Sequence, residues 1–200
     1  MKCPDPEELA PKLLKSLRSG CWEFSEDIRR LASECRTPTG FRVPRHYLVI
    51  LGDRMGRIMT PEDLSRLECW CEVQEEGREV LALCLSRLAM TFPEEAKGIA
   101  RKVEDCGGRD LLCRWVYPVI ALWDPSLLEG LGRYSYLMSW AWLATYSPED
   151  FDIALERVLS RSQVVDEALI KALRRLRRVN PAKTYERIRG NPYLLSRVIS

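Results

Sequence analysis

Side-chain amides and histidine are scarce in this 200-residue chain, whereas arginine is abundant. The chain contains two asparagines, two glutamines and a single histidine, His46, beside 24 arginines and 7 lysines. A shortage of thermolabile amides combined with many charged residues is typical of proteins that work at high temperature. The composition therefore predicts a thermophilic source.

The sequence also lacks a membrane-spanning run and an export signal. No apolar run reaches the roughly 18 residues that a spanning helix requires. The most apolar stretch, 115–123, is shorter and is interrupted by Pro118. Residues 1–5 lack the apolar core of a signal peptide. We therefore expect a cytoplasmic protein without membrane attachment.

Short motifs that mark common catalytic and cofactor sites are missing as well. The glycine pairs at 107–108 and 130–132 match neither the P-loop nor the dinucleotide fingerprint. No nucleophile elbow is present. His46 has no second histidine and no neighbouring cysteine, so we interpret it as a structural residue. The sequence predicts no catalytic residue, no cofactor and no metal site.

Eight cysteines are present, but they lack the paired C-x-x-C spacing of zinc sites. They are Cys3, Cys21, Cys35, Cys69, Cys71, Cys84, Cys106 and Cys113. Intracellular proteins of hyperthermophiles can be rich in disulfides. Two interpretations stay open: one or two disulfides between neighbouring helices, or buried free thiols that act as small apolar residues.

Proline recurs just inside short polar or acidic segments, which is a pattern typical of helix starts. The starts are predicted at Pro6, Pro61, Pro93, Pro125, Pro148, Pro181 and Pro192. The prolines at 61, 93 and 125 are 32 residues apart, the length of one helix–turn–helix unit. We also expect Ser25 to cap a helix and Gly77 to end one.

These helix starts, with helical spacing of apolar residues between them, predict an all-α fold. The expected architecture is a HEAT-like α-solenoid of stacked antiparallel helical hairpins. No Gly-Ser linker or low-complexity segment divides the chain. We expect a single helical-repeat domain over 1–200, with a soft boundary at loop 37–44.

Positive charge is concentrated at the C-terminal end. Residues 161–200 contain ten basic and three acidic residues, a net charge of +7, which leaves −5 for the remainder. Lys171, Arg174, Arg175 and Arg178 share one predicted helix face, since they follow i, i+3, i+4, i+7 spacing. Arg187 and Arg189 lie on the next predicted helix. Guanidinium groups bind phosphates well, so this face favours a DNA or RNA backbone as partner.

Other interpretations of the charged and aromatic residues stay open. The arginine face could be solvated, or could pair with acidic residues of the protein or of a protein partner. Glu72, Glu75, Glu76 and Glu79 would form one acidic stripe if a helix continued past Gly77. We expect most of the six tryptophans to fill the core, with Trp140 or Trp142 facing a groove.

The stretch 168–181, Ala-Leu-Ile-Lys-Ala-Leu-Arg-Arg-Leu-Arg-Arg-Val-Asn-Pro, resembles a C-terminal segment of the DNA alkylation repair glycosylases. The matching residues are Ala172, Leu173, Arg174, Asn180 and Pro181. Lys171 stands where that family has tryptophan. The resemblance implies HEAT-like repeats and a concave basic surface suited to DNA.

Our functional hypothesis is a non-catalytic module that binds a nucleic-acid backbone through the basic residues of 171–189. A protein–protein adaptor or subunit of a larger complex is the alternative. A diverged base-excision glycosylase is a second alternative, and Asp110 and Asp166 are the first carboxylates to inspect for it.

Overall fold

The computed structural model describes residues 3–35, 43–120, 167–179 and 181–200. All regular elements within these ranges are helical, which confirms the all-α class. Residue contacts divide the chain into two compact units, Met1–Trp123 and Asp124–Ser200. The expected single domain with a boundary at 37–44 stays a prediction, because most of that loop lies outside the described ranges.

The N-terminal unit is a succession of helices. They are α1 (Pro6–Ser19), α2 (Cys21–Glu34), α3 (Arg45–Ile58), a 3₁₀ helix (Pro61–Cys71), α4 (Glu75–Ala89), α5 (Pro93–Val103), a π-helical turn (Glu104–Gly108), α6 (Arg109–Leu111), a second π-helical turn (Leu112–Val116) and α7 (Tyr117–Ile120). In the C-terminal unit, the described helices are α8 (Glu167–Val179), α9 (Pro181–Ile188) and α10 (Pro192–Ile199).

Proline marks the helix starts as predicted wherever the structure describes them. Pro6, Pro93, Pro181 and Pro192 are first residues of α-helices, and Pro61 is the first residue of the 3₁₀ helix. The Asp5 carboxylate accepts a hydrogen bond from the Glu7 N–H at 2.9 Å. The predicted starts at Pro125 and Pro148 lie outside the described residues.

Two predicted boundaries are wrong. Ser25 does not cap a helix, because α2 begins directly after Gly20 and buries Ser25 inside its second turn. Gly77 does not end a helix, since it lies in the first turn of α4. A Cβ on Gly77 would lie 3.1 Å from the Cβ of Val73, so the glycine allows a close approach there. In both places tertiary packing overrides a local signal.

Helices α1 to α4 pack as two adjacent pairs. Helix α1 contacts α2, and α3 contacts α4; in addition, α1 contacts α3 and α2 contacts α4. The α3–α4 approach is close because Gly52 and Gly56, one turn apart on α3, face α4 without side chains. A Cβ on Gly52 would lie 2.5 Å from the Cβ of Leu83. The Cys84 thiol also donates to the Gly52 carbonyl at 3.4 Å.

Three disulfides link the N-terminal unit: Cys3–Cys35, Cys21–Cys69 and Cys71–Cys106. The remaining cysteines are free thiols, Cys84 in the core and Cys113 partly exposed. Burial raises the pKa of the Cys84 thiol strongly. Both interpretations of the cysteines are therefore correct in part, with one bridge more than expected.

The N-terminal segment is held by a hydrogen bond as well as by the first disulfide. The buried Tyr47 hydroxyl of α3 donates to the Pro4 carbonyl at 2.9 Å. Burial, assisted by the Asp5 carboxylate, raises the pKa of Tyr47 to about 12. The residues before α1 are thus anchored on α2 and α3.

Candidate functional site

The C-terminal unit combines a small apolar core with a basic exterior. Helices α8, α9 and α10 contact one another pairwise. Among the side chains of these helices that the structure describes, the buried ones are Ile170, Leu173, Thr184, Ile188, Leu194 and Val198. The Asn191 side chain starts α10 by accepting from the Leu194 N–H at 3.1 Å. Because the inward positions take these residues, the basic side chains between them are directed outward.

The structure exposes most of the predicted binding residues. Lys171, Arg174 and Arg178 of α8 are exposed, and so are Arg187 at the end of α9 and Arg189 just after it. Because an α-helix advances about 100° per residue, the three α8 cations share one face, which lies roughly a quarter turn from the buried Ile170 and Leu173. The side chain of Arg175 lies outside the described part of the structure.

Two arginines of α8 bind the C-terminal end of α10. Arg174 donates through Nε and Nη2 to the Arg197 carbonyl, at 2.9 and 2.7 Å. Arg177 donates to the Val198 and Ile199 carbonyls at 2.6 and 2.7 Å. These carbonyls have no partner within the helix, and the helix dipole makes that end negative. Sequence reasoning missed this capping role, because it depends on a contact between helices.

One ion pair joins the same two helices. Arg197 of α10 pairs with Glu167 at the start of α8. In contrast, the side chains of Lys171, Arg178 and Arg189 make no hydrogen bond or ion pair within the described ranges. Arg174 remains charged after capping, although its Nε and one Nη are occupied. The uncompensated charge is thus centred on Lys171, Arg178 and Arg189, a smaller set than the sequence suggested.

Tyrosines are exposed on α9 and α10 of the same unit. Tyr185 of α9 is 55% exposed and Tyr193 of α10 is 53% exposed. Of the tryptophans that the sequence offered, Trp70 is fully buried, Trp22 is 67% exposed on α2, and Trp140 and Trp142 lie outside the described residues. The tyrosines were missed, although each has an arginine four residues further along the chain, Arg189 after Tyr185 and Arg197 after Tyr193.

The acidic cluster does not form the single stripe that the sequence allowed. Glu72 follows the 3₁₀ helix, whereas Glu75 and Glu76 begin α4, where acids suit the helix dipole. Glu79 is buried and pairs with Arg45 at 2.5 Å. A pocket of about 150 Å³ lies beside this pair and is lined in part by Glu75 and Glu76. The burial of Glu79 and its contact with Arg45 indicate that this ion pair has a structural role at the start of α4.

Neither of the two aspartates singled out for base excision lies in a described cleft. Asp110 is exposed on the three-residue α6, and Asp166 lies outside the described residues. His46 is exposed in the first turn of α3. Within the described ranges, no group of three or more His, Cys, Asp or Glu side chains is arranged to hold a metal ion. Nor is any helix in those ranges long and apolar enough to cross a membrane.

Comparison with protein-family models, with curated proteins and with solved structures found no match. The candidate site therefore has to be judged on its own geometry and charge.

Proposed function

We propose that this protein is a non-catalytic helical-repeat module that binds nucleic-acid backbone through its C-terminal basic residues. The observation that carries the proposal is the exposure of Lys171, Arg178 and Arg189, whose charges no described acidic side chain compensates. Cations in this arrangement attract a polyanion, and each neutralised phosphate releases counterions.

The proposed architecture is a HEAT-like solenoid. Support comes from α1 to α4, in which α1–α2 and α3–α4 pack as pairs and α1–α3 and α2–α4 also pack on each other. That order is expected when successive hairpins stack. The 3₁₀ helix between α3 and α4 is an insertion relative to a simple hairpin. The resemblance of 168–181 to alkylation repair glycosylases agrees with this architecture.

We also propose a thermophilic source and a cytoplasmic location. The shortage of amides supports the first, and the three disulfides are compatible with the second in such a source. Disulfides persist in the cytosol of hyperthermophiles, whereas in other organisms they are typical of exported proteins.

The test of the binding proposal is a charge-reversal variant, Lys171→Glu/Arg178→Glu. Fluorescence anisotropy with labelled DNA and RNA at low salt gives the affinity. Arg174 and Arg177 are left intact, because replacing them would also remove the cap of α10. We expect the double variant to bind all sequences at least about tenfold more weakly, since phosphate contacts carry non-specific affinity.

The matched control is Lys12→Glu/Arg66→Glu, which changes charge equally at two exposed positions of the N-terminal unit. The control should retain wild-type affinity. Equal loss in both double variants would show that net charge alone matters. Absence of binding by the wild-type protein at low salt would exclude the proposal and favour the protein–protein adaptor.

A further inference from the structure

Two exposed tyrosines flank the turn between α9 and α10. The segment 185–193, which we call the Tyr–Arg turn, contains Tyr185, Arg187, Arg189 and Tyr193, all exposed. Its one acidic residue is Glu186. The neighbouring apolar residues Ile188 and Leu194 are fully buried, whereas more than half of each tyrosine is exposed: 55% of Tyr185 and 53% of Tyr193.

The backbone of this turn is well ordered by hydrogen bonds. The Arg189 N–H donates to the Tyr185 carbonyl at 2.9 Å, so these residues are one helical turn apart on one side of α9. The Asn191 N–H donates to the Ile188 carbonyl at 2.9 Å and closes the turn. A Cβ on Gly190 would meet nothing within 4 Å, so the space around the turn is open.

Exposed aromatic rings next to arginines favour unpaired bases over a duplex. Successive bases of a single strand can stack on aromatic side chains, whereas in a duplex the base faces are stacked on one another and only the groove edges and phosphates are accessible. Tyrosines are also common at protein interfaces. The arginines beside both rings make a polyanion the better match for this turn.

Resting on the proposed function, we infer that the ligand is single-stranded nucleic acid, with bases stacked on Tyr185 and Tyr193 and phosphates neutralised by Lys171, Arg178 and Arg189. The three described helices have 8 to 13 residues and are roughly 12–20 Å long, so their surface fits a strand of only a few nucleotides. Such a site size is within the range seen for small single-strand binding folds.

Three ligands separate stacking from charge. They are a thymidine oligonucleotide of about 16 nucleotides, a duplex of the same length, and an abasic deoxyribose-phosphate oligomer of the same length. The protein variants are Tyr185→Ser/Tyr193→Ser and Tyr185→Phe/Tyr193→Phe. Trp22→Ser is the control, because Trp22 is an exposed aromatic residue of the N-terminal unit. Circular dichroism verifies that each variant is folded.

We expect wild-type protein to bind the thymidine strand more tightly than the abasic oligomer or the duplex. The serine variant should lose roughly fivefold to 100-fold in affinity for the thymidine strand and keep its affinity for the abasic oligomer. The phenylalanine variant should retain wild-type affinity, because phenylalanine also stacks, and Trp22→Ser should change nothing.

Equal affinity for all three ligands, with no effect of the serine substitutions, would overturn the single-strand inference and leave backbone binding intact. Loss of affinity for the abasic oligomer in the serine variant would also overturn it, since that ligand has no bases to stack. If wild-type protein bound none of the ligands at low salt, the proposed function itself would fail. The comparison of wild-type affinities decides the question even if the serine variant does not fold.

Discussion

At the scale of single residues, Asp63 shows how much one buried carboxylate can hold together. Its oxygens accept two hydrogen bonds from Arg18 of α1, each at 2.8 Å, and a third from the Thr60 N–H, also at 2.8 Å. It thus links α1 to the start of the 3₁₀ helix. Hydrogen bonding to Arg18 lowers the pKa of Asp63 below its usual value.

We expect Asp63→Asn to lower the free energy of unfolding by about 1.5–3 kcal/mol at neutral pH, because it removes a bidentate charged contact. The pKa of Asp63 is depressed in the folded state, so this stabilisation is complete above pH about 4 and is lost as pH falls through the lowered pKa. Urea unfolding of both proteins between neutral and acidic pH measures the difference.

The control substitution is Glu72→Gln, at an exposed carboxylate just after the 3₁₀ helix. It should change stability by less than about 0.5 kcal/mol. A difference between wild type and Asp63→Asn that persisted undiminished in strong acid would contradict the assigned role of the Arg18–Asp63 pair.

The sequence predicted the helix start at Thr60-Pro61 but not this ion pair. Thr60, Pro61 and Asp63 are close along the chain, so their capping pattern can be recognised locally. Arg18 lies 45 residues away from Asp63, and no local pattern indicates that the two residues meet.

At the scale of helices, glycines govern how closely α3 and α4 approach. Gly52 and Gly56 present bare backbone to Leu83, Cys84 and Arg87 of α4. Neither glycine ends the helix, since α3 continues to Ile58. Glycine commonly ends a helix, and only the packing of α4 against α3 shows that these glycines allow a close approach instead.

Gly52→Ala should destabilise the protein by about 1–3 kcal/mol or more, because the new methyl group would meet the Val80 carbonyl oxygen at 2.8 Å. Thermal unfolding followed by circular dichroism measures the loss.

Gly98→Ala is the matched control in α5, where an added Cβ meets nothing within 4 Å. This control should be neutral or raise stability by up to about 1 kcal/mol, since alanine favours a helix interior. Equal melting temperatures for the two variants would contradict the close-packing account.

At the scale of the whole molecule, the disulfides concentrate in the N-terminal unit and the excess of positive charge in residues 161–200. The bridges join residues 32, 48 and 35 positions apart, so each closes a long loop. In the chain-entropy model a loop of that length gives about 4 kcal/mol of stabilisation. The sequence raised the disulfide interpretation but not the pairing, because pairing depends on which helices are neighbours.

Thiol titration tests the bridges directly. We expect two titratable thiols, those of Cys84 and Cys113, in denatured protein that has not been reduced, and eight after reduction. Native protein should react slowly at Cys84, because burial raises the pKa of its thiol. Eight thiols without reductant would show that none of the bridges forms.

The charge asymmetry of the molecule was visible in the sequence, since it depends only on composition along the chain. The structural role of each basic residue was not visible in the sequence. The structure assigns Arg174 and Arg177 to the cap of α10 and pairs Arg197 with Glu167, so fewer of the described cations are left without a protein partner. These roles follow from how α8 and α10 pack, and no spacing rule along one helix contains that information.

The salt dependence of nucleic-acid affinity is the most direct measurement of the central claim. The logarithm of the association constant of the wild-type protein, plotted against the logarithm of salt concentration, should fall linearly with a slope of about −2 to −3, close to the number of phosphates that Lys171, Arg178 and Arg189 can neutralise. Lys171→Glu/Arg178→Glu should have a markedly shallower slope. An affinity that does not vary with salt, or an unchanged slope in the double variant, would contradict binding through these residues.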